Sequence, residues 1–354
     1  MYHIILAGGH GSRFWPKSRI NKPKQLLKIY SDESMIRITY NRLLKISNPE
    51  KILIIASKKI TKLIKDEIKE IPKNNFIIEP SKKNTAPAIG LAALYLLNRD
   101  PEAIMAIHPS DHLIIEDSKF EKTIINAENN IKKNNSLLIT GIKPTYPATG
   151  YGYIEYDNIP NNALQIYKVQ KFHEKPPLEV AKKYLQNKNY IWNVGIFFWK
   201  ASTILNEFNQ YMPQLYNSLI NIKNYIHKSN YSKSMINYWE NIKSESIDYG
   251  VLEKTNNVFT LKADFTWSDL GSWYSLFKIL TKDENNNYHK GEVLSINSKS
   301  NLIISPNKLT AVIGIDNLNI INLDDVTLIV SHDKCEEVKN IVEMLKTLNK
   351  KEYL

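Results

Sequence analysis

Residues 1–13, MYHIILAGGHGSR, decide how the rest of the chain is read. Tyr2-His3-Ile4-Ile5-Leu6-Ala7 has the texture of a short buried strand, and glycines at 8, 9 and 11 follow it at once. The whole chain has 12 glycines, so three within four positions is a local concentration. Glycine lets a backbone turn its N–H groups inward and come close to a phosphate. No Gly-Lys-Ser/Thr follows, so this is not a Walker loop, and the third glycine of the dinucleotide fingerprint is missing. Alone, the cluster reads equally well as an ordinary tight turn from strand to helix. The cations that come next shift the balance. Arg13, Lys17, Arg19, Lys22 and Lys24 follow closely, and cations beside a glycine nest suit a triphosphate.

Further along, apolar runs at 2–7, 51–56, 76–79, 103–107 and 137–142 alternate with helical patterns at 34–46, 58–70, 85–98 and 118–133. This predicts an α/β fold, a Rossmann-like mixed, mainly parallel sheet flanked by helices. Residues 151–200 read as strands around a short helix, and 201–256 as mostly helical. The polar stretch Asp283-Glu284-Asn285-Asn286-Asn287 reads as a linker. Beyond it GEVLSI, NLIIS, LTAVIG, LNIIN and VTLIV are short strands separated by polar turns, the pattern of a small β-helix-like domain. A terminal helix over 333–349 is expected, capped by Asp333 with Glu336 three residues on. It would present Val338, Ile341, Val342, Leu345 and Leu348 on one face. The expected domains are 1–284 and 285–354. So small a tail has much apolar surface for its size, so it is expected to dock on the main domain and help form a homodimer.

Composition closes off other classes. A length of 354 exceeds the ~250–300 residues at which one core stops growing. No apolar run reaches the ~18 residues of a spanning helix, and the N-terminus has no signal-peptide pattern, so no membrane association is expected. The single cysteine, Cys335, excludes an internal disulfide framework and suits a cytoplasmic location. The net charge of +11 invites a nucleic-acid reading. Only five basic residues are arginine (13, 19, 37, 42 and 99), however, and the lysines are spread along the chain. A solvated lysine surface with a basic cleft for a phosphate-rich small molecule is preferred, and no nucleic-acid partner is expected.

LAGGHGSRFWPKSR…KPKQLL (6–27) resembles the signature of the sugar-1-phosphate nucleotidyltransferases, in their mannose-1-phosphate guanylyltransferase branch. KNTAPAIGLAA (83–93), HPSDH (108–112), TGYGYI (149–154), FHEKP (172–176), WNVGIFFWK (192–200), SIDYGVLEK (246–254) and FTWSDLGSW (265–273) follow in the same order. The resemblance implies transfer of GMP from GTP to mannose 1-phosphate, with Mg²⁺ as cofactor and a left-handed β-helix-like tail. Arg13 and Lys24 are expected on the phosphates. Asp111, beyond a strand at the carboxyl edge of the sheet, is well placed for a metal, although alone it reads sooner as a cap or turn residue. The family's Mg²⁺ role carries to Asp111, and Asp269 matches its second metal carboxylate. A zinc reading of His108 and His112 is disfavoured by the proline between them.

Further contacts are implied by the same resemblance. Ala7, Gly8, Gly9, Gly11, Ser12, Asn84, Thr85, Ala86, Pro109 and Ser110 are expected on the nucleotide. On the residues alone, Thr85 reads as a helix cap with Pro87 in the first turn. Gly150, Glu174, Lys175 and Asn193 are expected on the sugar phosphate, where a surface ion pair and a turn are the plainer readings. Trp267 and Trp273 read as packing residues. Longer members of the family carry an isomerase domain, and for this chain the transferase activity alone is expected. The same reaction on another sugar or nucleotide remains open, as does a regulatory subunit that binds nucleotide sugar without turnover.

Overall fold

In the computed structural model the run Tyr2–Leu6 is strand β1, inside a mixed sheet, and residues 1–9, 11–160, 164–225 and 231–354 are described. His10 of the glycine loop and parts of 151–200 and 201–256 lie outside the described residues. The chain forms two compact units. One holds Met1–Gly8, Tyr40–Ser110 and Ile114–Trp267; the other holds Gly9–Thr39, Asp111–Leu113 and Ser268–Leu354.

In chain order the strands after β1 are β2 (Ile52–Ser57), β3 (Phe76–Glu79), β4 (Ile104–Pro109), β5 (Leu113–Ile114), β6 (Leu137–Ile142), β7 (Tyr153–Tyr156), β8 (Ile166–His173), β9 (Tyr190–Lys200) and β10 (Val258–Lys262). All but β5 share one sheet of the first unit, ordered β3-β2-β1-β4-β9-β6-β10-β8-β7. The edge β3-β2-β1-β4 is parallel throughout, as its unbroken apolar runs predict. Beyond it the sheet is mixed, as expected. Strand β9 runs antiparallel to both β4 and β6, β7 and β8 pair antiparallel, and only β6–β10 is parallel again. YIWNVGIFFWK in β9 is buried nearly throughout, so it has no alternation to betray its direction. The core gathers Ile4, Leu53, Met105 and Ile139 from the sheet with Ile89, Leu94 and Phe208 from helices.

The predicted helices fall at α1 (Met35–Leu44), α2 (Lys58–Glu67), α3 (Thr85–Leu97) and α4 (Asp117–Ile131). Strand β4 ends beside β1, with Leu6 opposite Pro109. Ala7-Gly8 and Pro109-Ser110 therefore leave the same edge of the sheet, and the Ser110 N–H donates to the Leu6 carbonyl at 3.2 Å.

In the second unit, after the short β11 (Trp267–Ser268), β12 (Tyr288–Ile296), β13 (Leu302–Ile313), β14 (Leu318–Asn322) and β15 (Thr327–Ser331) stack in order. The first three of this stack pair parallel, like successive coils of a β-helix, and β15 closes them antiparallel. Buried asparagines bind coil to coil. Asn287 Oδ1 accepts from the Asn301 N–H at 2.9 Å, and Asn301 Oδ1 from the Leu318 N–H at 3.0 Å. The stretch read as a linker is the start of this ladder: Asp283 Oδ1 accepts the N–H groups of Asn285 and Asn287, at 3.0 and 2.7 Å, and Asn287 is buried. Its polarity serves a closed turn.

The tail helix also starts later than predicted. A 3₁₀ segment His332–Glu337 precedes the α-helix Val338–Thr347, so Asp333 does not cap the latter. Of its expected apolar face Val338 is buried, whereas Ile341 and Leu348 are exposed. This helix packs on Ser12–Phe14, the Trp15 indole donates to the Tyr353 carbonyl at 2.8 Å, and Arg19 pairs with Asp325 at 2.9 Å. The glycine loop and the tail thus belong to one unit. Among the described residues no helix is long and apolar enough to cross a membrane.

Candidate active site

In the second unit the glycine loop closes on a lysine. Gly11 has φ 66°, a left-handed conformation, and a Cβ there would lie 2.2 Å from Lys24 Cβ. Only glycine fits, on both counts. Lys24 is buried, and its ammonium lies 2.9 Å from Asp111 Oδ2 and donates to the Asp269 carbonyl at 2.7 Å. Burial pushes the Asp111 carboxyl up, but the charge of Lys24, followed by that of His112, outweighs it and holds the group below its ordinary value. Asp269 Oδ1 accepts from the Gly271 N–H at 3.1 Å, which fixes the turn of TWSDLG. Arg13 Nε lies 2.7 Å from Glu336 in a half-exposed pair. Such a pair contributes only about 0–1 kcal/mol, so a phosphate can take Arg13 from it.

Arg13, Lys24, Asp111 and Asp269, all singled out from the sequence, thus fall in one compact unit, and Lys24 touches both aspartates. Of the two carboxylates expected on a metal, Asp111 meets the Lys24 ammonium with its side chain and Asp269 with its backbone carbonyl, and among the described residues no group of three or more His, Cys, Asp or Glu side chains converges. A pair of carboxylates fits a divalent cation that takes the rest of its shell from other oxygens. Trp273 is fully buried on Phe14, ring centroids 4.9 Å apart, and its indole donates to the Trp15 carbonyl at 3.0 Å. It packs, as expected.

In the first unit Ala7, Gly8, Pro109 and Ser110 share one edge of the sheet, and Gly8 adjoins a residue that sequence reading missed. Glu79 ends β3, is buried, and its Oε1 lies 3.5 Å from the point where a Gly8 Cβ would sit. Burial raises its carboxyl to about 7 against the weaker pull of Lys82. The signal in sequence was slight, an acid at the end of a strand before Pro80. Asn84, rather than Thr85, caps α3: its Oδ1 accepts from the Thr85 N–H at 2.9 Å. Thr85 Oγ1 instead accepts the Ile247 N–H at 2.9 Å, and the Ala86 N–H donates to the Glu245 carbonyl at 3.2 Å. His108 is spent on His3, Nε2 to Nδ1 at 3.1 Å, in a buried pair that burial keeps uncharged.

A second cluster in this unit gathers Gly152, Glu174, Lys175, Asn193 and Asp248. Glu174 pairs with Lys175, and a Cβ at Gly152 would lie 2.7 Å from Glu174 Oε2. A Cβ at Gly150 would meet nothing, so the close approach is at Gly152. Asn193 Nδ2 lies 3.3 Å from Asp248 Oδ1, a residue the sequence reading did not single out. Burial, then the charge of Glu174, raises the Asp248 carboxyl to about 7. Lys175 is raised because the hydrogen bond and charge of Glu174 outweigh its burial. Tyr151 packs beside Trp192 and Trp267, centroids 5.1 and 5.0 Å away.

The chain is similar to known proteins over nearly its whole length. A family model described as nucleotidyl transferase matches residues 2–286, and one described as MannoseP isomerase/GMP-like beta-helix domain matches 291–345. The chain is 36% identical to mannose-1-phosphate guanylyltransferase 2 of Escherichia coli O157:H7, covering 99% of this chain and 74% of that protein. It is 36% identical to mannose-1-phosphate guanylyltransferase RfbM of Salmonella typhimurium, covering 99% of this chain and 73% of that one. A crystal structure described as mannose-1-phosphate geranyltransferase from Thermus thermophilus superimposes with a TM-score of 0.89 at 26% identity, over 98% of this chain and 99% of that chain.

Proposed function

The chain belongs to the nucleotidyl transferase family, in its mannose-1-phosphate guanylyltransferase branch, and on that premise we propose that it transfers GMP from GTP to mannose 1-phosphate, releasing pyrophosphate. The observation that carries this reading is the Lys24 ammonium, held between Asp111 and the Asp269 carbonyl and packed against Gly11. A buried cation at a glycine loop is a charge fixed in advance where a phosphate chain lies, and it needs no reorganisation as charge redistributes.

The sugar phosphate is already an anion, so attack on the α-phosphorus needs no general base. What the chain must supply is alignment and charge. Gly8, Gly9, Gly11 and Ser12 offer backbone to the phosphates, Arg13 leaves Glu336 for the departing β/γ-phosphates, and Lys24 meets the reacting phosphate. Asp111 and Asp269 would hold Mg²⁺, which supplies Lewis-acid charge when bound. Glu79 supports guanine as the base. Guanine presents two adjacent donors, N1–H and N2–H₂, and a carboxylate accepts both. Uracil and thymine offer one ring N–H flanked by carbonyls, which a carboxylate repels. On the sugar side Glu174 and Asp248 are acceptors for hydroxyls, Lys175 is the cation for the phosphate, and Asn193 orients the sugar by donating and accepting.

The domain division at 284/285, a cytoplasmic location and a homodimer belong to the same proposal. The dimer is supported by the tail, where Leu294, Ile296, Leu309, Ile313 and Ile329 are each more than half exposed. Light scattering at micromolar concentration should give twice the chain mass; a clean monomer contradicts it. The activity is tested by mixing the protein with Mg²⁺, each nucleoside triphosphate and each sugar 1-phosphate, and measuring pyrophosphate. GTP with mannose 1-phosphate should react fastest. Faster reaction of UTP or dTTP with glucose 1-phosphate overturns the assignment.

A further inference from the structure

The second unit holds a cavity of about 650 Å³ that the proposed reaction does not use. Its charged lining is Lys17, Arg19, Lys22 and Lys28 with Asp325 and Glu352. Arg19 is already satisfied: it donates to both Asp325 oxygens, at 2.9 and 3.2 Å, and to the Pro16 carbonyl at 2.7 Å. That pairing also consumes Asp325. Among the described residues no ion pair or side-chain hydrogen bond engages Lys17, Lys22 or Lys28. Lys17 is half-buried, and Lys290 adds a further like charge nearby. Burial first, then the charges of Lys290 and Lys22, push its ammonium down to about 8. With Asp325 taken by Arg19, the half-buried Lys17 and the exposed Lys22 and Lys28 face one further carboxylate of the lining, Glu352, and this net positive lining favours an added anion.

We propose that this cavity is a second anion site, separate from the reacting phosphates, and that it takes a phosphate dianion, free or as a phosphate monoester, on Lys17, Lys22 and Lys28. Lys17 and Lys22 lie on the segment between Arg13 and Lys24, which carries two of the proposed catalytic residues at its ends. An anion here therefore ties down the backbone on which both depend. The site stands independently of which sugar or nucleotide the enzyme uses.

Calorimetric titration of the full chain with inorganic phosphate, at ionic strength fixed with sodium chloride, tests the proposal. Wild type should bind one phosphate, and Lys24→Ala should bind it equally well, because that change touches only the reacting site. Lys17→Gln combined with Lys22→Gln should weaken binding at least tenfold, and Lys17→Arg with Lys22→Arg should restore it. The restored variant separates loss of the site from loss of the fold. Glycerol 1-phosphate tells the two ligand sources apart: equal affinity assigns the site to the phosphoryl group as such, and weaker binding to the free ion. The proposal is overturned if wild type binds no phosphate, if binding survives the two glutamines, or if Lys24→Ala abolishes it.

Discussion

Three carboxyl groups, each partly or fully withdrawn from solvent, stand in opposite electrical states. In the second unit Asp111 is held ionised, because the Lys24 ammonium lies 2.9 Å away. In the first unit Glu79 and Asp248 are both raised to about 7, the one by burial and the other by burial and a neighbouring carboxylate. On the proposed function the contrast is a division of work. The phosphate end is assembled from full charges already in place. The groups assigned to base and sugar sit near their titration point, so they are cheaply desolvated when empty and become full acceptors once donors such as the guanine N1–H reach them.

The largest expected effect comes from disturbing the charged end. Gly11→Ala forces a side chain into Lys24 at a left-handed backbone position. Displacing that lysine by about an ångström should cost roughly a hundredfold in turnover. Turnover measured at saturating GTP checks this, and a fully active variant would mean that Lys24 need not sit where the loop holds it.

A smaller effect is expected at the base. Glu79→Gln replaces an acceptor pair by one acceptor and one donor, so the apparent affinity for GTP should fall about ten- to a hundredfold, the worth of a hydrogen bond to a charged group. Wild type should prefer GTP to ITP, which lacks the N2 amino group, and the variant should lose most of that preference. Steady-state comparison of the two nucleotides decides it; an unchanged GTP/ITP ratio removes Glu79 from base recognition.

The smallest effect is a pH slope in stability. A carboxyl group raised in the folded state binds more protons there than in the unfolded chain, so its contribution falls as pH rises from about 4 towards 7. Asp111 has the opposite sign: its contribution is present above the unfolded value near 3.8 and is lost as pH falls below it. Asp248→Asn should therefore gain stability relative to wild type at pH 8 and not at pH 4. Denaturant titrations at both values test this, and a parallel pair of curves would place Asp248 in an ordinary solvated environment.

The sequence made much of this legible, for local reasons. A parallel edge reads as apolar runs, a phosphate loop as clustered glycines, and helices α1 to α4 as periodic patterns. What stayed hidden depends on distant packing. Glu79 is a strand-end acid whose meaning comes from burial beside Gly8. Thr85 looks like the better cap than Asn84 until Ile247 arrives to claim its hydroxyl. Asp283–Asn287 has the polarity of a linker, yet its side-chain bonds point inward to the first coil of the tail. The direction of β9 was unreadable because both its faces are buried.

Charge fixed at Lys24 should serve the transition state more than the binding of GTP. Turnover and apparent GTP affinity, compared between wild type and Lys24→Ala across a magnesium titration, decide whether it does. The expected result is a loss of turnover of about a hundred- to a thousandfold, worth ~3–4 kcal/mol, with GTP affinity much less changed. Asp111→Asn should differ, regaining part of its activity in excess magnesium. If Lys24→Ala weakens only the apparent affinity for GTP and leaves turnover intact, Lys24 is a binding residue and the role given to it here is wrong.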